Sequence, residues 1–493
     1  MSPAIDDITQ QKLNKLAALR AEGIEPYPYS YHRTHTTREA LNLLEQNRDR
    51  LQAEDFRVNI AGRILARRSM GKSAFMDLRD GTGKIQLFFR INTLGDKYKL
   101  VKDIDIGDIL GGKGKLFLTR TGEPSVEVED FTLLAKSLQP LPEKWHGLVD
   151  VEKRYRQRYL DLISNPEAKK IFETRSKTIS AIRDFLGRRD FLEVETPVLQ
   201  PEAGGASARP FVTHHNTLDR DFYLRIALEL HLKRLIIGGF DKVYELGRIF
   251  RNEGIDFKHN PEFTMLETYE AYVDYLDVMK MVEEMVSGVC QQVLGTQKIE
   301  YNGQIIDFTP PWKRLELRQA VMQYAGLDYE KFPDTASLRE EMQRRGIQFD
   351  PAKEHGRLID EIISTCVDPQ MIQPTILFDY PLELSPLAKK KPGYDHLVER
   401  FEAYAGGMEI ANAFTELNDP IDQRQRFMNQ MEKRAGGDEE AQKMDEDFLL
   451  AMEHGMPPTG GLGVGIDRLV MLFTNQTSIR EVILFPALRE KEG

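Results

Sequence analysis

Tyr244-Glu-Leu-Gly-Arg-Ile-Phe-Arg-Asn-Glu253, a polar tip from Gly254 to Pro261, and Glu262-Phe-Thr-Met-Leu-Glu-Thr-Tyr-Glu-Ala-Tyr272 form one stretch whose pattern decides the fold. Apolar and polar residues alternate on both arms, so Val243 to Tyr272 is predicted as a β-hairpin with a long tip. Successive side chains of a strand leave opposite faces. That groups Arg251 with Glu253 and, on the returning arm, Phe263, Met265, Glu267 and Tyr269. One surface then collects a guanidinium, carboxylates and aromatic rings. A planar guanidinium suits a phosphate, a ring such as Phe263 stacks on a purine, and Glu253 can accept from an exocyclic amine. The hairpin therefore points to nucleotide chemistry.

A second segment complements it. Gly460-Gly-Leu-Gly-Val-Gly-Ile-Asp-Arg-Leu-Val-Met-Leu472 runs from a glycine-rich strand into an apolar helical pattern. Glycines weaken a strand and mark close approach of a ligand or another backbone, so a nucleotide can lie against this one with Arg468 at its outer phosphates. Upstream, Arg57 to Leu134 breaks into about five short β-like runs punctuated by Gly71, Asp80-Gly-Thr-Gly83, Gly107, Gly111-Gly112 and Gly122. This suits a small Greek-key barrel. Helices are expected at Asp7 to Glu22, ended by Gly23, and at Thr37 to Gln52. Others are expected at Arg154 to Ile163, Glu167 to Arg188, Leu315 to Val367, Arg424 to Arg434 and Glu446 to His454, with strands at Phe191 to Leu199, Thr375 to Asp379 and Arg400 to Leu417. The fold class is α+β: an N-terminal barrel, then a mainly antiparallel sheet flanked by helices. Boundaries are placed at 1–54 for a helical extension, 55–138 for the barrel, 139–152 for a linker containing Pro140, Pro142 and Gly147, and 153–493 for the second domain.

With 493 residues, 41% hydrophobic and 29% charged, more than one core is expected. No apolar run approaches the roughly 18 residues of a bilayer span, and Asp6 and Asp7 stand where a secretory signal is basic, so a cytoplasmic protein without a membrane is expected. Cys290 and Cys366 lack the spacing of a disulfide framework or thiolate metal site and read as core thiols. The net charge of −11 excludes a general polyanion binder, yet Phe56 to Arg90 carries eight basic residues against Asp77 and Asp80, a local +6. Gln430 to His454 carries eight acids and three bases, or −5. The barrel is thus the part suited to nucleic acid.

The Phe-Arg-Asn-Glu hairpin and the Gly-Leu-Gly-Val-Gly-Ile-Asp-Arg segment resemble motifs 2 and 3 of the class II aminoacyl-tRNA synthetases. Phe191-Leu-Glu-Val-Glu-Thr-Pro-Val-Leu199 is similar to motif 1, with Pro197 at that family's dimer interface. The resemblance extends over the whole chain. It is closest to the bacterial-type lysyl-tRNA synthetases in Arg154 to Leu162, Gly204-Gly-Ala-Ser-Ala-Arg-Pro-Phe211 and Met408 to Asp419. It implies an OB-fold anticodon-binding barrel, a class II catalytic domain, a homodimer, and a ligase that joins L-lysine to tRNA(Lys) through an adenylate.

The site residues follow from the resemblance one by one. ATP falls to Arg251, Glu253, His259, Asn260, Phe263, Glu402 and Arg468, of which Arg251 and Arg468 are catalytic. The amino acid falls to Gly205, Glu229, Arg251, Glu267, Tyr269, Asn412, Phe414 and Glu416, with Glu416 and Tyr269 at its side chain. Glu402 and Glu409 correspond to magnesium ligands, and a tight turn at Ala405-Gly406 is expected to make them cross-strand neighbours. In the barrel, Phe75 and Gln86 meet anticodon bases, and Arg63 and Arg67 meet phosphate. The chain departs from the family pattern at Leu228, where proline is usual, at His231, where tyrosine is, and at Ala411 and Ala413, where glycines are; added methyls there are expected to tighten the pocket. The alternatives are an aspartyl- or asparaginyl-tRNA synthetase, an enzyme that loads a lysine analogue onto a protein, or a catalytically silent RNA-binding relative.

Overall fold

A computed structural model describes residues 6–51, 53–142, 148–435, 441 and 443–490. Residues 143–147 of the expected linker, Gly147 among them, and 436–440 and 442 of the acidic segment lie outside the described residues. The chain forms two compact units, Met1–Leu148 and Val149–Gly493.

In the first unit, strands Arg57–Met70, Ser73–Arg79, Lys84–Arg90, Ile109–Leu118 and Pro124–Ala135 close into a barrel. Alternation along each strand sends Ile60, Ile64, Met76, Leu78, Leu87 and Val126 inward, all buried. Helix Asp7–Ala21 is capped by Asp6, and Thr37–Gln46 by a capping box from Thr36 and Glu39. The second helix ends six residues before the expected Gln52. Leu19, Ala40 and Leu44 join the barrel's own core, so the N-terminal helices and the barrel share one core.

The second unit is built on an eight-stranded sheet. Its order is Lys313–Glu316, Thr375–Pro381, Leu397–Ala405, Met408–Thr415, Thr459–Gly465, Glu262–Ala271, Lys242–Phe250 and Leu192–Glu193. The two outermost pairings are parallel and the rest antiparallel. One face carries Leu266, Leu462, Val464, Ala411 and Ala413 against helices Pro166–Gly187, Tyr275–Leu294 and Ile466–Phe473 in a single core. The expectation that the methyls of Ala411 and Ala413 tighten the pocket is therefore corrected. By alternation they point away from Asn412 and fill that core. Within Phe191 to Leu199 the strand is broken: Leu192–Glu193 pairs with the sheet, Leu199–Gln200 pairs elsewhere, and between them Thr196 bonds to Glu245 rather than to a neighbouring strand. The helix expected over Arg154 to Ile163 is two, Val151–Arg156 and Arg158–Ser164. Cys290 is buried, while Cys366 is half-buried rather than core.

Candidate active site

The sheet's other face forms the floor of a cavity of about 1250 Å³. The register explains its shape. Glu267 pairs with Gly463 and Gly463 with Asn412, while Tyr269 pairs with Gly461 and Gly461 with Phe414. Two walls of functional side chains thus face each other across a strand that presents only hydrogen atoms on that face. A β-carbon at Gly463 would meet nothing nearer than 3.8 Å and would project into the cavity; one at Gly461 would collide with Glu416 and stand 2.8 Å from the Tyr269 ring.

All the candidate residues of this unit line the cavity: Gly205, Glu229, Arg251, Glu253, His259, Asn260, Phe263, Glu267, Tyr269, Glu402, Glu409, Asn412, Phe414, Glu416 and Arg468. The reason given for Arg251 and Glu253 is corrected, because the strand ends at Phe250 and both stand on the connecting loop. Arg251 is placed instead by its N–H to the Pro261 carbonyl at 2.9 Å and by Nε to the Ile226 carbonyl at 3.3 Å, with its guanidinium 5.2 Å from the Phe263 ring centre. Asp467 anchors this corner, accepting from Thr264 N–H at 2.7 Å and from Arg175 at 2.6 Å. His259 Nδ1 contacts Asp256 at 2.8 Å. Asn260 donates to the Glu262 carbonyl and accepts from Ala487 N–H, so its amide shapes the loop.

The expectation that Glu402 and Glu409 are direct cross-strand partners is also corrected. Glu402 pairs with Asn412 and Glu409 with Tyr404, because the turn uses both Gly406 and Gly407 at positive φ and the register slips between Ala403 and Tyr404. Glu402 accepts from Tyr380 Oη at 2.9 Å and Tyr404 Oη at 2.5 Å and pairs with Arg400, while Glu409 accepts from Arg468 at 3.0 Å.

At the deep end, Glu229, Glu267 and Glu416 converge. Burial pushes all three upward, Glu267 to about 7, and the Glu229 charge adds to that shift. Glu267 accepts from Leu228 N–H at 2.9 Å and from Tyr269 Oη at 3.1 Å; a proline at 228 would lack the first donor. Tyr269 thus binds Glu267 here rather than reaching the Glu416 end with its hydroxyl. Glu416 is fully buried; its Oε2 pairs with the buried Lys233 ammonium, while its Oε1 has no hydrogen-bond donor.

Sequence reasoning missed three participants. Arg400 donates to Asn412 Oδ1 at 3.0 Å and to Ser385 Oγ at 2.8 Å; alternation two residues before Glu402 was the available signal. Lys233, one turn after Glu229, lies 2.5 Å from that carboxylate and pairs with Glu416; the i,i+4 spacing was its signal. Asp368, next to Glu402 and Glu409, had none. It follows an irregular helical turn, Ile363–Val367, and its Oδ1 is buried without a hydrogen bond. The helical block over Leu315 to Val367 packs on strands Thr375–Pro381 and Leu397–Ala405 and supplies Asp360 and Ile363 to the cavity wall.

In the barrel unit, Phe75 is half-buried on the outer face and stacks on Phe88 at 4.5 Å, with Arg68 as its cross-strand neighbour. Gln86 shares that face but accepts from Ser125 Oγ at 3.0 Å. Arg63 and Arg67 are corrected as free phosphate contacts, since Arg63 donates to the Gly107 carbonyl and Arg67 to those of Lys102 and Ile104.

The family model for class II tRNA synthetases (D, K and N) matches residues 150–489, over the cavity and its sheet, and that for the OB-fold nucleic acid binding domain matches 58–134. A lysine–tRNA ligase of Dehalococcoides mccartyi strain 195 is 59% identical, with 98% of each chain covered. The chain belongs to the bacterial-type lysine–tRNA ligase family of class II synthetases. The synthetase is also similar to the lysine–tRNA ligases of Moorella thermoacetica, 55% identical over 99% of each chain, and Roseiflexus castenholzii, 53% identical over 99% of this chain and 100% of the relative.

Proposed function

We propose that the synthetase activates L-lysine with ATP and transfers it to tRNA(Lys), and that the cavity residues divide the work as follows. The carrying observation is the cluster at Glu416: three buried carboxylates, Glu229, Glu267 and Glu416, meet a single buried ammonium, that of Lys233, and the remaining negative charge calls for another ammonium. An aspartate or asparagine side chain would meet repulsion or leave the excess negative charge of the three carboxylates unanswered there, which disfavours the rival synthetases.

The substrate ε-ammonium meets Glu416 beside the Tyr269 ring, and its α-ammonium meets Glu229 and Glu267 near Gly205. Its carboxylate lies between Arg251 and Asn412, held against the α-phosphate. One carboxylate oxygen bonds to the α-phosphorus as the bond to the bridging oxygen breaks and pyrophosphate leaves. A ribose hydroxyl of the tRNA then attacks the lysyl carbonyl, and AMP departs. Arg251 stabilises charge on the α-phosphate, Arg468 and His259 face the outer phosphates, and Phe263 with Glu253 holds adenine.

The donor set fits Mg²⁺. Glu402 and Glu409 border the cavity beside Asp368, whose buried Oδ1 has no hydrogen bond and whose pKa is pushed to about 7 by burial and by those two charges. Among the described residues no three acidic, histidine or cysteine side chains gather as a metal cluster, so phosphate and water oxygens would complete the shell. An ion held there by Glu402 and Glu409 would supply positive charge to offset that of the phosphates.

Exposed Leu192, Val198 and Leu199 around Pro197 support a homodimer through this face. A cytoplasmic enzyme is proposed; among the described residues no helix is long and apolar enough to cross a membrane.

Charging of tRNA(Lys) transcripts with lysine tests the whole reaction, and charging with aspartate instead would overturn it. For the barrel, Phe75→Ala lowers kcat/KM for tRNA charging by about tenfold, one stacked base contributing about 1–3 kcal/mol, and leaves adenylate formation unchanged. Unaltered charging would remove Phe75 from anticodon recognition.

Stability should carry the charge signature of the pocket. With its pKa raised to about 7, mainly by burial, Glu267 keeps its proton below that pH and weakens the ligand-free fold as pH rises through it. Lysine offsets this only once the carboxylate is ionised. The lysine-induced rise in Tm therefore grows from pH 6 to pH 8, and a rise that shrinks over that interval contradicts the assignment.

A further inference from the structure

Lys233 lies on helix Glu229–Ile237 with no exposed side-chain surface. Its Nζ is 2.5 Å from Glu229 Oε1 and pairs with Glu416 Oε2, with the Phe414 ring 5.6 Å away. A buried ion pair of this kind rarely adds stability over apolar packing, which leaves a functional reason for it. The charges around it can be counted. Glu229 comes from its own helix, Glu267 and Tyr269 from the hairpin's returning strand, and Glu416 follows strand Met408–Thr415; Arg400 approaches Glu229 but is committed to Glu402.

We infer that Lys233 is a positioning residue for substrate selection: its single positive charge, shared between Glu229 and Glu416, offsets one of the three negative charges of the converging buried carboxylates and leaves room for two more positive charges, which a diamino acid supplies. The inference rests on the lysine reading above and adds the reason that amino acids with a single ammonium are rejected: each would bury one carboxylate without a partner. Burial opposes the charge of Lys233, but Glu229 and Glu416 outweigh it and hold its pKa above the usual lysine value. The lysine stays charged at working pH.

The test is ATP–pyrophosphate exchange by Lys233→Met and Lys233→Arg across pH 6.5 to 9, with KM for lysine and for ATP measured separately. The methionine variant should raise KM for lysine about tenfold to hundredfold and leave KM for ATP within about twofold. Without the ammonium, the carboxylates keep their protons to higher pH, so the pH at which the lysine KM levels off moves up; Lys233→Arg, which keeps the charge, retains the original profile. A structural role alone would raise both KM values together with an unmoved profile, and that result overturns the proposal, as does a moved profile in Lys233→Arg. If the methionine variant does not fold, the arginine profile decides. Failure of the unsubstituted enzyme to exchange with lysine would instead remove the lysine reading.

Discussion

Glu416→Gln lowers kcat/KM for lysine by about 10²- to 10³-fold and leaves KM for ATP within about twofold. The amide keeps the volume of the carboxylate, so the gap over Gly461 is preserved and the loss reports charge alone. Two partners lose by it. The substrate ammonium faces an amide, and Lys233 keeps only Glu229. The adenine end, at Phe263, Arg251 and Glu253, has no bond to Glu416, which is why ATP binding is spared. Steady-state exchange kinetics with each substrate varied in turn checks this, and an equal loss for ATP would place Glu416 elsewhere in the reaction.

Arg251→Ala should cost about 10³ in kcat, the effect expected from deleting one preorganised donor to a charged transition state. Arg251 stands between the substrate carboxylate and the α-phosphate, so KM for lysine rises as well. Its guanidinium donates to the Ile226 carbonyl and lies over Phe263. Burial, with the Arg468 charge, pulls its pKa down and Glu253, Glu409 and Glu267 partly oppose, yet an arginine stays charged at any working pH. Arg251→Lys restores only part of the rate, because a point charge does not reproduce the planar fork. Single-turnover adenylate formation measures this, and a rate within tenfold of the unsubstituted enzyme would exclude Arg251 from catalysis.

The sequence made some of this site legible and hid the rest for physical reasons. Period-two alternation placed Phe263, Met265, Glu267 and Tyr269 on one face because the returning strand is regular through Ala271. The same rule gave the right grouping of Arg251 and Glu253 for the wrong reason, since the strand stops at Phe250. It failed at Glu402 and Glu409, where two left-handed glycines and a slipped register replace the tight turn assumed. Arg400 and Lys233 had local signals, two residues from Glu402 and four from Glu229. Asp368 had none, because its place depends on how the helical block packs on strands distant in sequence. The bonds that occupy Arg63, Arg67, Asn260 and the Tyr269 hydroxyl are tertiary, and no local pattern announces them.

The central claim is that buried negative charge at Glu229, Glu267 and Glu416 selects lysine for activation. ATP–pyrophosphate exchange with each of the amino acids in turn tests it most directly: lysine alone is predicted to drive exchange, and exchange driven by aspartate or asparagine but not by lysine would contradict it.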